Sequence, residues 1–256
     1  MATVLQRLGV RVLDLVGAGP RSGWRRRSDP VRGRGAALRA ETAYWEEWLA
    51  TKGGKWPEEF AFRFDPDAEV SDPALRDVLL ELHADEVSIL DVGAGPASMV
   101  GCRFPGTRLT VVAVDPLGDK YSRLLADAGV VPPVATISLG GEQLVEHFGR
   151  ERFDIAYARN ALDHAVDPVV IVEQMLEVVR AGGYVVLRHV RNEAERQGYG
   201  QLHQWNFDER NGQLVVWRAG RETQLGDALI GGAALSCRTE PLADGAASVV
   251  CVIRKG

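Results

Sequence analysis

The stretch VSILDVGAGPASMVG, residues 87–101, decides the fold. Val87, Ile89 and Leu90 run into Asp91, and Gly93 and Gly95 follow at the spacing of a tight turn. Glycine accepts backbone angles closed to other residues, so such a turn lets main chain approach a ligand. In open α/β sheets that place, the carboxyl end of a strand, is where ligands bind. A nicotinamide dinucleotide site would have a third glycine three residues after the second, where this chain has Ser98. An acid two residues before the first glycine suits a positively charged ligand end, such as an α-amino group, better than a pyrophosphate.

Outward from this turn, LTVVAVDP (109–116) predicts a second strand ending in Asp115, twenty residues after Gly95. A carboxylate there can accept hydrogen bonds from the two hydroxyls of a ribose. Short apolar segments predict strands at 87–92, 109–115, 133–137, 153–158 and 183–190. Helical stretches are expected around 96–103, 119–128, 141–149 and 168–180. Strands alternating with helices imply an α/β, doubly wound, mainly parallel sheet covered on both faces. After Arg191 the alternation breaks. LVVWRAG and RETQL predict a hairpin, followed by a short helix near 226–233. ALSCRTE and ASVVCVIRK, separated by the turn residues of PLADG, predict a closing antiparallel hairpin.

Ahead of the sheet the chain reads as a helical extension in two parts. Residues 1–36 hold an amphipathic helix (3–16) and a basic linker; residues 37–84 form a helical, aromatic cap before a domain at 85–256. Helices are expected at 38–51, stopped by Gly53-Gly54, and at 73–83, with Pro73 in the first turn. The segment KWPEEFAFRFDPDAEV between them suits a lid. Tyr44, Trp45, Trp48, Trp56, Phe60 and Phe62 read either as an acceptor wall or as plain packing. The run VRVLDLVGAGP (10–20) imitates a strand and glycine turn, but no acid-ended strand follows it and its apolar spacing is helical.

Residues 1–40 carry nine arginines against two aspartates, a net of +7 that leaves −12 for the remainder. An acidic body excludes a broad nucleic-acid surface. The basic N-terminus reads as a tail or, more sharply, as a peripheral membrane or partner contact through Trp24 and Arg25–Arg27. No apolar run is long enough to span a bilayer. Three scattered cysteines without a CxxC pair predict neither a disulfide framework nor a zinc site, and hence a reducing cytoplasm.

Over residues 80–256 the motifs, in order, resemble the class I S-adenosylmethionine-dependent methyltransferases. ILDVGAGP, VVAVDP, LGGEQL, FDIAYARNALDHAVDP and EVVRAGGYVVLRHV each match a family motif. The resemblance implies a Rossmann-like methyltransferase fold with S-adenosylmethionine as cofactor. By it, Asp91, Gly93, Ala94, Gly95 and Pro96 hold the methionine part and Asp115 the ribose. Pro116 and Leu117 flank the adenine, Gly141 and Glu142 lie near its edge, and Arg159 and Asn160 lie close to the reactive methyl. Where many members place an acid toward the adenine amino group, this chain has Gly140.

A hydroxyl acceptor needs its proton removed, which a base of near-neutral pKa does best. His164 is the first candidate, with Asp163 as its partner; His189 and His203 are further candidates, each also readable as a structural histidine. Asp163 and Glu193 could offer hard oxygen ligands to Mg²⁺, but no compact spacing demands it, and the metal stays unassigned. The expectation is therefore O-methylation of a small-molecule acceptor such as a sugar, glycolipid or secondary metabolite, with oligomerisation left open. The rival readings are a nicotinamide-dependent oxidoreductase and a non-catalytic protein that keeps the fold as a scaffold.

Overall fold

A computed structural model describes residues 33–228 and 233–256. The amphipathic helix expected at 3–16, the glycine run at 10–20, Trp24 with Arg25–Arg27 and the far end of the helix expected near 226–233 lie outside them. Among the described residues no helix is long and apolar enough to cross a membrane.

Three helices come first: α1 (Arg34–Ala50), α2 (Pro57–Phe64) and α3 (Pro73–Leu82). Each boundary has a local cause. Left-handed Gly53 and Gly54 follow the end of α1. Pro57 starts α2, where a missing N–H costs nothing. The Asp72 carboxylate accepts from Leu75 N at 3.2 Å and caps α3.

The main sheet has the order β3-β2-β1-β4-β5-β10-β9. Its strands are β1 (Glu86–Val92), β2 (Arg108–Asp115), β3 (Thr136–Ser138), β4 (Phe153–Arg159), β5 (Val179–Val190), β9 (Ala234–Pro241) and β10 (Ala247–Arg254). The first five run parallel, and β10 runs antiparallel between β5 and β9. The expected doubly wound sheet with its closing hairpin is therefore present. β3 begins later than its apolar pattern suggests because Pro132 and Pro133 cannot donate to a ladder. Helices α4 (Gly118–Ala128), α5 (Leu144–Phe148) and α6 (Pro168–Val178) fall near their expected places.

Period-two alternation sorts the side chains between two cores. Leu90, Val92, Ala156, Ala158, Val185 and Leu187 face α6, whereas Val87, Ile89, Ile155, Tyr157 and Val186 face α3. A second sheet, β6 (Asn206–Arg210), β7 (Gln213–Arg218) and β8 (Arg221–Gln224), follows the short α7 (Glu193–Arg196) and precedes α8 (Leu225–Ala228). The expected hairpin is β7–β8; β6 adds a strand that the polar run NFDER conceals. Phe207, Leu214 and Val216 bring this sheet into the α6 core.

Two expectations are corrected. No helix forms at 96–103: β1 and β2 are joined by a loop broken by Pro96, Gly101, Pro105 and Gly106. Its backbone is satisfied from the N-terminal side, through Cys102 N and Arg103 N to Ala68 O (2.7 and 3.0 Å) and Val70 N to Arg103 O (2.9 Å). Cys237 and Cys251 are also not separate thiols. The β9–β10 register sets them directly opposite each other, and they form a disulfide. A separation of 14 residues across a hairpin conceals this from a search for local pairs.

Arg63 of α2 is the main brace of the helix-free loop. Its buried guanidinium donates to Ala94 O (3.2 Å) and Ala97 O, pairs with Glu59 at 2.6 Å, and lies over the rings of Trp45 and Trp48. Arg63→Leu strands two carbonyls and the partly buried Glu59, and is expected to cost about 3 kcal/mol. Thermal and urea unfolding check this; an unchanged midpoint removes Arg63 from the brace.

Candidate active site

The sheet order reverses between β1 and β4, and a cleft of about 700 Å³, counting its solvent-open part, lies at the carboxyl ends of β1 and β2. Its floor is Val92, Gly93 and Gly95, with left-handed φ values of 77° and 68° at the glycines. A side chain at Gly93 would strike Ala161, and one at Gly95 would meet Trp45 at 3.0 Å. Thr136 Oγ1 donates to Gly95 O at 2.8 Å and ties the turn to β3.

Asp91 stands beneath this floor and does not line the cleft. It is 3% exposed and accepts from Ser98 Oγ at 2.7 Å, so the residue that replaces the third glycine serves the acid. Burial raises its carboxyl pKa to about 6, against the lowering effects of the Ser98 hydroxyl and the Arg63 charge. Ala94 and Pro96 are likewise buried behind the turn rather than lining the cleft.

Asp115, Pro116 and Leu117 form one wall. The Asp115 carboxylate accepts from Gly95 N at 3.2 Å and Leu117 N at 2.9 Å, locking the end of β2 to the glycine turn. Gly141 and Glu142 line the facing edge with Leu139 and Ile171. Gly141 packs so closely on Ile171 that a side chain there would collide. Arg159 and Asn160 do not reach the cleft; they open onto a second cavity bounded by Asp72, Arg76, Arg188 and Glu240.

The remaining wall comes from α1: Arg34, Leu38, Glu41 and Trp45. Their spacing of four, three and four residues is one stripe of a helix, which is the signal that would have marked them in advance. Arg34 Nη1 donates to His164 O at 3.0 Å, joining this helix to the loop after β4. Among the other cap aromatics, Trp48 and Phe60 pack with Trp45 and Tyr121 beneath the cleft and do not line it.

Of the four candidate acid–base residues, only His164 lines the cleft. Behind it Asp163 and His203 are buried, with His203 Nδ1 2.6 Å from Asp163 Oδ2 and 3.2 Å from His164 Nε2. The neighbouring imidazoles hold the Asp163 carboxyl well below the usual carboxylate range despite its burial. His189 stacks on Phe207 at 4.3 Å, and neither ring nitrogen has a hydrogen-bond partner among the described residues. Burial lowers its pKa to about 4, so it stays neutral, away from the cleft. Trp205 and Phe207 are core rather than pocket wall; Trp205 Nε1 donates to Ala165 O at 3.1 Å and so holds the His164 loop.

Residues 90–187 match a family model described as a methyltransferase domain. A search of the curated proteins finds no match. Among solved structures, the chain is similar to the 1,6-didemethyltoxoflavin-N1-methyltransferase of Burkholderia thailandensis, with 17% identity, 93% of each chain covered and a TM-score of 0.49. That protein was solved with bound 1,6-didemethyltoxoflavin and S-adenosylhomocysteine. An S-adenosylmethionine-dependent methyltransferase of Mesorhizobium loti is 18% identical over 75% of this chain and all of that one, with a TM-score of 0.47. One from Clostridium acetobutylicum is 11% identical over 86% and 99%, with a TM-score of 0.46.

Because Asp91 is charged only above about pH 6, a ligand with an ammonium group should bind more weakly as pH falls through that value. The drop is at most about tenfold per pH unit below it. Titration with S-adenosylhomocysteine between pH 5 and 8 checks this. Asp91→Asn should bind weakly throughout and flatten the profile; a flat wild-type profile excludes the role.

Proposed function

We propose that the chain, whose residues 90–187 match a methyltransferase-domain model, transfers a methyl group from S-adenosylmethionine to a hydroxyl of a small molecule. The observation that carries this reading is the placement of His164: it faces the cleft while Asp163 and His203 back it. The cofactor would lie along the glycine turn, with its ribose at Asp115 and its adenine between Leu117 and the Gly141-Glu142 edge. A cleft of about 700 Å³ walled by the α1 stripe suits a small acceptor beside the cofactor.

Transfer is an in-line displacement. The acceptor oxygen bonds the methyl carbon, the carbon–sulfur bond breaks, and its electron pair stays on a now neutral sulfur. The acceptor proton passes to His164, and the Asp163 carboxylate stabilises the imidazolium formed. Holding the two reactants in line accounts for roughly 7–11 kcal/mol of barrier lowering. Asp163 faces two imidazoles rather than a set of oxygens, so Mg²⁺ has no part in this reading.

The nicotinamide rival loses its physical basis in the helix-free loop after β1. No helix N-terminus stands there to meet a pyrophosphate. The disulfide also removes the cysteine argument for a reducing compartment.

Calorimetric titration with S-adenosylmethionine and S-adenosylhomocysteine should give micromolar binding, about −8 kcal/mol, that collapses in Asp115→Ala. No binding by the folded wild type would favour the scaffold reading instead. With a hydroxyl acceptor identified from a substrate panel, His164→Ala should keep cofactor affinity and lose turnover about a hundredfold. Unchanged turnover removes His164 as the base.

A further inference from the structure

Three potential ligand atoms converge beside the cleft. Asp163 Oδ2, His164 Nε2 and His203 Nδ1 lie 2.6, 3.2 and 3.5 Å from one another, taken pairwise. An ion placed just off the plane of this triangle lies about 2 Å from all three atoms, the length of a zinc bond to imidazole nitrogen or carboxylate oxygen.

We propose that Asp163, His164 and His203 bind one divalent first-row transition ion, of the Zn²⁺ or Mn²⁺ class. Two imidazoles and one carboxylate suit such an ion, whereas Mg²⁺ takes a shell of oxygens.

A second observation comes from the far side of the cluster. A small cavity there is lined by Asp163, His203, Asn160, Val190 and Glu193. Glu193 Oε2 is buried in it without a hydrogen-bond partner among the described residues, its nearest cation being Arg196 at 3.6 Å. Glu193 thus lines the same cavity as two of the three ligands. The ligands come from distant parts of the chain, the loop after β4 and the segment before β6. The ion therefore fastens the second sheet to the wall of the cleft.

Three protein ligands leave an ion a further position, and His164 borders the cleft. Metal-free, the cluster offers an imidazole as base. Loaded, His164 is a ligand, and the further position is where an oxygen of the acceptor would be held. The test of the site contains neither cofactor nor acceptor, so its failure leaves the methyl-transfer reading standing.

The experiment is calorimetric titration of the chelator-treated full chain with Zn²⁺ and Mn²⁺, together with the absorption spectrum and paramagnetically shifted imidazole protons of the Co²⁺ form. The expected result is one equivalent bound at about 1 µM or tighter, two histidine ligands in the Co²⁺ form, and no competition from millimolar Mg²⁺. His203→Asn and Asp163→Asn should each weaken binding by at least about tenfold, in variants whose far-UV circular dichroism matches the wild type. Binding weaker than about 100 µM, a Co²⁺ form without histidine ligands, equal competition by Mg²⁺, or full affinity in both folded variants would each overturn the proposal. The Co²⁺ spectrum uses the wild-type chain alone, so it decides the matter even if a variant fails to fold.

Discussion

The Arg63 guanidinium is the interaction on which the rest of the site depends. A loop without a helix has no internal partners for its carbonyls, and a buried carbonyl left unpaired is costly. Arg63 meets Ala94 and Ala97 while its positive charge is balanced by Glu59 and shielded by Trp45 and Trp48. The same charge lies close enough to Asp91 to favour its ionised form. One side chain thus sets the shape of the glycine turn and tempers the acid beneath it.

From this brace the architecture follows outward. Asp115 and Thr136 attach the turn to β2 and β3, and Arg34 attaches α1 to the loop that carries His164. Trp205, from the segment before β6, attaches that same loop to the α6 core. Each tie is a hydrogen bond between residues distant in sequence. The cleft is therefore a junction of six chain segments rather than a feature of the parallel sheet alone.

The parts readable in the sequence are those written in local period. Strand alternation at 87–92 and 153–158, the acid that ends β2 and the closing hairpin needed no partner to be recognised. What escaped depends on register or on remote contacts. The polar run NFDER conceals β6 because Asn206 and Asp208 are buried by hydrogen bonds that the pattern cannot display. The helix expected at 96–103 fails because residues 68–70 and Arg63 supply the bonds that it would have supplied itself. Among the candidate histidines, sequence proximity to strand ends could not separate His164, which faces the cleft, from His189, which stacks on Phe207. Only the fold decides which way a ring at a strand end turns.

The face of the sheet opposite α6 is covered by α3, which precedes β1 in the chain. During synthesis the brace, its counter-charge and the covering helix all leave the ribosome before the glycine turn does. Conversely, the segment that carries the family likeness, 90–187, contains neither Arg63 nor α3. Excised at those boundaries, it would expose the apolar side of its own strands. The piece that similarity delimits is smaller than the piece that can fold.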